Sequence, residues 1–158
     1  CKIVELGPSE RLKFLIEKSN LINKKINLAI KHNLIPLICV GEKKLEKNLS
    51  KRKQVLKSQL DRLFKKVINK KKLILIAYEP IWAIGKNNKA ASIDYCNETM
   101  QYIKKIVSKK INKTKILYGG SVDEKNYKEF LKSDYIDGIF IGRAALNANN
   151  FIKICRGI

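Results

Sequence analysis

A carboxylate at the end of an apolar run is a candidate general base. Glu79 stands in such a place, directly after Leu73-Ile74-Leu75-Ile76-Ala77-Tyr78 and beside Pro80. Burial there disfavours the charged form and raises the carboxyl pKa toward the range useful for proton transfer. Two glycine turns have complementary character. Gly119-Gly120-Ser121 and Gly142-Arg143 each close a short apolar run, and the second leads into a helix. Backbone N–H groups and a helix dipole suit a dianion, although a glycine pair by itself means no more than a tight turn. The four cysteines, Cys1, Cys39, Cys96 and Cys155, have neither metal-ligand nor redox spacing, so no metal and no cofactor is expected. The single histidine, His32, lies in Lys31-His32-Asn33 where a helix ends, and the helix dipole favours a cation there. It reads as a helix-end residue rather than a catalytic one.

The elements that must position these groups alternate in one rhythm. Ile3 to Gly7 is a short strand-like run. Ser9 through Asn33 reads as one helix, with Leu15, Ile16, Leu21, Ile22, Ile26, Leu28, Ala29 and Ile30 at helical spacing. Leu34 to Val40 is a continuous apolar run, with Pro36 near its start because proline cannot donate to a ladder. Leu45 to Asn69 is a second helical stretch, with Val55 and Ile68 in its apolar stripe. Leu73 to Tyr78 is a third strand, Ser92 to Lys110 a helix with Ser92 as N-cap, and Lys115 to Tyr118 a fourth strand. A short helix over Asp123 to Lys132, a strand over Gly138 to Ile141 and a last helix over Asn149 to Cys155 complete the pattern. Strands that are apolar throughout fit burial on both faces, hence a parallel sheet covered by helices, an α/β fold. In such folds chemistry gathers at the carboxyl ends of the strands, so the special residues of all five units are expected on one rim.

Composition narrows the classes. The chain has 158 residues, 45% hydrophobic and 30% charged, which is not a disordered composition. No apolar run reaches the roughly 18 residues of a membrane span, and no apolar segment follows a basic start, so neither a membrane partner nor a signal peptide is expected. A cytoplasmic location with reduced thiols follows. The net charge is +20, from 34 Lys and Arg against 14 Asp and Glu. Of the basic residues 29 are Lys and 5 Arg, beside 23 Ile and 14 Asn, a skew shared by A- and T-rich codons. The lysines are scattered along the whole chain and Arg, the better base and phosphate reader, is scarce, so no nucleic-acid partner is expected. The field would still attract small anions.

At Ala77-Tyr78-Glu79-Pro80-Ile81-Trp82-Ala83-Ile84-Gly85 the sequence resembles the triosephosphate isomerase family. Leu6-Gly7-Pro8-Ser9-Glu10-Arg11 is similar to the family's Gly-His-Ser-Glu-Arg segment. Ile38-Cys39-Val40-Gly41-Glu42 is similar to its Cys-Ile/Val-Gly-Glu strand end, and Tyr118-Gly119-Gly120-Ser121-Val122 to its seventh loop. Asp137 to Leu146 is similar to the phosphate turn before its last helix. The resemblance covers essentially the whole chain. It implies a partial (β/α)₈ barrel of five parallel βα units, numbers four to eight, with residues 1–158 forming a single incomplete barrel domain. The chain begins at Cys1 rather than Met, so a removed upstream segment or a piece of a longer product is expected, and units one to three are missing from it. With them go the family's catalytic lysine and the loop through which the family forms homodimers.

The resemblance also implies roles. Glu79 is the base that removes a proton alpha to a carbonyl, in the interconversion of dihydroxyacetone phosphate and glyceraldehyde 3-phosphate through an enediolate. The substrate is a small phosphorylated sugar and the setting glycolysis and gluconeogenesis. Pro80 to Lys86 is a lid closing over it, with Trp82 packing that lid. Gly85, Ser121, Gly142 and Arg143 are expected to hold the phosphate. Two departures qualify this. Pro8 stands where the family has an electrophilic histidine, so activity of this chain is expected to be impaired. Arg143 replaces a second glycine, in a turn that resembles the erythrulose-phosphate isomerases of the same superfamily. A tetrulose phosphate isomerase is therefore one alternative, and a non-catalytic basic remnant that binds polyanions is another.

Overall fold

Parallel strands pair only if the chain crosses back over the sheet between them, and this chain does so four times. The computed structural model describes residues 1–14, 17–85 and 88–158, with backbone alone for 12–14. Leu15 and Ile16 of the expected stripe, and Lys86 of the expected lid, lie outside the described residues. In order the elements are β1 (Ile3–Leu6), α1 (Ser9–Phe14), α2 (Ser19–Lys31), β2 (Ile35–Val40), α3 (Leu49–Leu63), β3 (Leu73–Tyr78), α4 (Ile93–Val107), β4 (Lys113–Tyr118), α5 (Tyr127–Leu131), β5 (Gly138–Ile139) and α6 (Ala148–Arg156). Two 3₁₀ turns, Ile81–Ala83 and Arg143–Leu146, follow β3 and β5. The sheet order is β1-β2-β3-β4-β5, all parallel. Strands in sequence order with helices between them are five consecutive units of a partial (β/α)₈ barrel, as expected.

Alternation along the strands divides the core. Ile38, Val40, Ile74, Ile76, Tyr78, Ile116 and Tyr118 pack with Ile26, Leu56, Leu60, Met100 and Ile103 of the helices. Leu37, Cys39 and Ala77 form a smaller cluster on the other face, with Leu75, Leu117 and Phe140 against it. Both faces are apolar, which is why the strands read as unbroken runs. No helix among the described residues is long and apolar enough to cross a membrane.

Several boundaries depart from the sequence reading. The single helix expected over Ser9–Asn33 is two helices, because the chain breaks around Glu17. That buried carboxylate pairs with Arg11 behind it and Lys25 ahead of it. Separations of six and eight residues are not neighbours on one continuous helix, so the two ion pairs fit the interruption rather than a single helix. Burial would raise the Glu17 pKa, but Lys25 and Arg11 hold it below the usual range. Leu28, at 56% exposure, and Leu21 and Val55 face solvent rather than the core. Ile68 is 64% exposed because α3 ends at Leu63, well before Asn69. That helix also begins late: Asn48 accepts from the Lys51 N–H at 3.1 Å and fixes its start. Pro36 is the second residue of β2, opposite Val4. At the other end, β4 starts at Lys113 rather than Lys115, since backbone pairing to β3 runs from Leu73↔Lys113 to Tyr78↔Tyr118 regardless of side-chain polarity. In contrast β5 is only Gly138–Ile139.

Candidate active site

The carboxyl ends of the strands surround a cleft of about 710 Å³. Glu79, Gly85, Ser121, Gly142 and Arg143, the five residues singled out from the sequence, all line it, and so does Pro8. The five follow the ends of β3, β4 and β5, and Pro8 follows the end of β1, which is the convergence the alternating pattern implies.

Glu79 lies one residue past β3, where its N–H donates to the Val40 carbonyl at 2.7 Å. Its side chain has little polar support. The Ser9 N–H reaches Oε2 at a long 3.4 Å, and the Cys39 thiol stands beside it. Burial is the main effect and pushes the carboxyl up to about 7; the nearby carboxylates of Glu5 and Glu10 add to it, while Ser9 and Cys39 oppose it. The Cys39 thiol also donates to Glu5 Oε1 at 3.8 Å. Burial first, then Glu79 and Glu5, drive its pKa far above the usual thiol range, so Cys39 is a neutral donor and not a nucleophile.

Glycine makes room for this carboxylate. A Cβ on Gly119 would stand 3.0 Å from Glu79 Cγ, and one on Gly41 would run into the Glu79 carbonyl. Gly41→Ala is therefore expected to lower stability by about 1–3 kcal/mol, read as a lower urea midpoint; an unchanged midpoint would show that the β2 end can yield.

The segment after Glu79 is anchored at two points. Trp82 Nε1 donates to Glu42 Oε1 at 2.9 Å, and the same oxygen accepts from Tyr78 at 2.8 Å and Tyr95 at 2.7 Å. The Ala83 carbonyl accepts from both the Ser121 N–H, at 3.0 Å, and the Ser121 hydroxyl, at 2.8 Å. In this state both Ser121 donors are engaged by the lid segment rather than open to a ligand. Gly85 holds φ +133°, a conformation that disfavours side chains. Gly142 and exposed Arg143 open a 3₁₀ turn, and the last helix follows at Ala148–Arg156, close to the Asn149–Cys155 expected for it. Glu5, Glu10, Asp123 and Glu124 also line the cleft, leaving Arg143 as its one cation among the described residues.

Glu42 is the site residue that sequence reasoning quoted without giving it work. Its position after Gly41 at a strand end was the available signal, but three donors from β3, the 3₁₀ turn and α4 meet on it only in space. Glu42→Ala is expected to cost about 1–3 kcal/mol and to shift the fluorescence of Trp82, the sole tryptophan, to the red. Fluorescence identical to that of the parent would mean that Glu42 does not hold the lid segment.

Residues 1–158, the whole chain, match the family model described as triosephosphate isomerase. The chain belongs to the triosephosphate isomerase family. Over 155 residues it is 44% identical to a triosephosphate isomerase of Mycoplasma mobile, covering 98% of this chain and 62% of that protein. It is 40% identical over 163 residues to a triosephosphate isomerase of Dehalococcoides mccartyi, covering 99% and 62%. It is also 36% identical over 159 residues to an L-erythrulose-1-phosphate isomerase of Rhizobium meliloti, again covering 99% and 62%. The chain thus spans about six-tenths of the length of the curated relatives it matches.

Proposed function

We propose that the protein containing this chain is an aldose–ketose isomerase that interconverts dihydroxyacetone phosphate and glyceraldehyde 3-phosphate. The observation that carries the reading is Glu79: a half-buried carboxyl, with pKa raised to about 7, lining a cleft together with the glycine turns. As a carboxylate it removes a proton from the carbon beside the carbonyl; the resulting enediolate takes the proton back at the neighbouring carbon while the hydroxyl proton passes from one oxygen to the other. Gly85, Gly142 and Arg143 hold the phosphate, with the backbone N–H groups and the guanidinium as donors. Ser121 joins them only if the lid segment moves, because Ala83 occupies its donors in the observed state. Closure of that segment removes water from around the enediolate.

A coupled assay of the full-length protein with triose phosphates tests this. Turnover that follows an ionisation near pH 7 supports it, and absence of turnover sinks it. The 158-residue chain assayed alone is expected to be nearly inactive, since Pro8 offers no donor and β1 and β5 are each paired on one side only. Residues 1–158 are read as one incomplete barrel domain of a cytoplasmic enzyme, homodimeric when complete.

Arg143 favours a second reading, an isomerase of a four-carbon ketose phosphate. A guanidinium at the cleft mouth makes a bidentate grip on phosphate but also changes where the sugar must sit. Arg143→Gly is expected to move the kcat/KM ratio of triose to tetrulose phosphate at least tenfold toward triose. A ratio that does not move would separate Arg143 from substrate choice.

A further inference from the structure

The lysines are spread along the sequence but not evenly over the molecule. The α2–β2, α3–β3 and α4–β4 connections all lie at the amino ends of the strands, the end of the sheet opposite the cleft. Hydrogen bonds tie them side by side. Asn27 of α2 donates to the Lys66 carbonyl at 2.8 Å and accepts from the Ile68 N–H at 3.0 Å. Lys72 Nζ donates to Asn33 Oδ1 at 3.0 Å, and the Asn112 N–H donates to the Lys70 carbonyl at 2.9 Å.

The middle connection carries Lys65, Lys66, Lys70, Lys71 and Lys72, all exposed. Lys31 adjoins them at the end of α2, and Lys109, Lys110 and Lys113 come from the third connection. Residues 31–34, 64–72 and 108–113 contain no Asp or Glu. Asp61, one turn before the middle connection, is shared between Lys57 at 2.6 Å and Lys110 at 2.8 Å.

Local explanations cover only part of this. A helix C-terminus favours a cation within its last turn, by about 0.3–1 kcal/mol. That accounts for Lys31, but α3 ends at Leu63, so Lys70, Lys71 and Lys72 lie beyond its dipole. Like charges gathered on one rim repel, and a polymer with closely spaced negative charge relieves that repulsion.

The rim's chemistry distinguishes among such polymers. Its cations are nearly all Lys, which meets phosphate as a point charge; the one Arg beside it, Arg62 in the last turn of α3, donates from its guanidinium back to the Ser58 hydroxyl at 2.7 Å. The one aromatic residue of the three connections, Phe64, is buried and offers no stacking platform. A membrane-surface binder would set a broad apolar face beside its cations. Here Ile68 is the sole exposed large hydrophobic of these connections.

We propose that this lysine rim binds the phosphodiester backbone of nucleic acid, without base specificity, on the end of the sheet opposite the cleft. The proposal is independent of what the cleft does. It also reverses the expectation drawn from the scatter of lysines along the chain, because the fold collects them.

Fluorescence anisotropy of the intact protein with labelled 30-nucleotide single strands and duplexes, between about 50 and 200 mM salt, tests it. Changing Lys65, Lys66, Lys70, Lys71 and Lys72 together to Gln should weaken binding about 100-fold at intermediate salt and flatten the log–log salt slope by about four. Changing Lys43, Lys44, Lys47, Lys125 and Lys153 to Gln removes the same charge elsewhere and should cost less than threefold. In the unsubstituted protein, bound oligonucleotide should protect Lys65 to Lys72 from acetylation more than Lys43 to Lys47, a readout that does not depend on any variant folding. Equal losses in the two variants would reduce the effect to net charge and overturn the proposal. Uniform acetylation, or tight binding to phosphatidylserine vesicles with no retention of oligonucleotides, would overturn it as well.

Discussion

Glu79→Gln in the full-length protein lowers kcat by about 10³-fold, because the amide keeps the shape of the carboxylate and loses its basicity. KM changes little, since the carboxylate makes no phosphate contact in the proposed arrangement. In the parent enzyme, activity rises with pH through an ionisation near 7, the value to which burial lifts this carboxyl. The variant's residual rate loses that limb. A variant that retained the parent rate would remove Glu79 from the mechanism.

The same substitution has an opposite effect on stability. A carboxyl pKa that is raised on folding means the native state binds more protons than the unfolded chain between about pH 4.5 and 7. Glu79 therefore favours the fold at low pH, and that contribution is lost as pH rises through the folded pKa. Above pH 8 the native state holds a half-buried, poorly supported charge, which lowers its stability. Gln carries no such charge, so Glu79→Gln should be the more stable protein at pH 8 and show little difference at pH 4. Thermal melts at the two pH values measure this. Equal melting temperatures at pH 8 would mean that the carboxylate is solvated and unstrained.

Pro8→His raises kcat of the full-length protein by about 10²–10³-fold, the range associated with a single oxyanion donor. Pro8 lines the cleft with Glu79, and proline supplies neither an N–H nor a side-chain donor. An imidazole at this place is the group the resemblance implies. Gly7, with φ +68°, already forms the tight turn that delivers residue 8 to the rim, so the backbone need not be rebuilt. The decisive measurement is kcat against pH for the variant and the parent. A rise in kcat with KM nearly unchanged is expected of a donor that strengthens in the transition state. No gain would mean that another group already fills the role, or that residue 8 lies outside the reacting atoms.

Much of the architecture was legible in the residues. Strands apolar on both faces, separated by stretches with helical spacing, specify a covered parallel sheet, and the turn residues mark its carboxyl ends. The errors have specific causes. Periodicity ran through Glu17 because Leu15, Ile16, Leu21 and Ile22 continue a helical stripe. Glu17 and Lys18 are not helical, and the ion pairs of Glu17 to Arg11 and Lys25 accompany that interruption without any local pattern announcing it. Leu28 and Ile68 read as core because they are apolar, yet one lies off the buried row of α2 and the other beyond the end of α3.

The strand-end motifs were sufficient to single out Glu79, Gly85, Ser121, Gly142 and Arg143 as residues that line one cleft, since each sits in a short segment whose neighbours are part of the signal. Relations between segments were not contained in any of them. The raised Glu79 pKa depends on burial against β1 and β2, the occupation of the Ser121 donors depends on where Ala83 lies, and the gathering of three donors on Glu42 depends on β3 meeting α4. Charge behaves in the same way. Composition counted +20, but Coulomb interactions depend on distance, and distance between residues remote in sequence exists only after folding. Packing the units side by side placed an acidic cleft at one end of the sheet and a rim of lysines at the other.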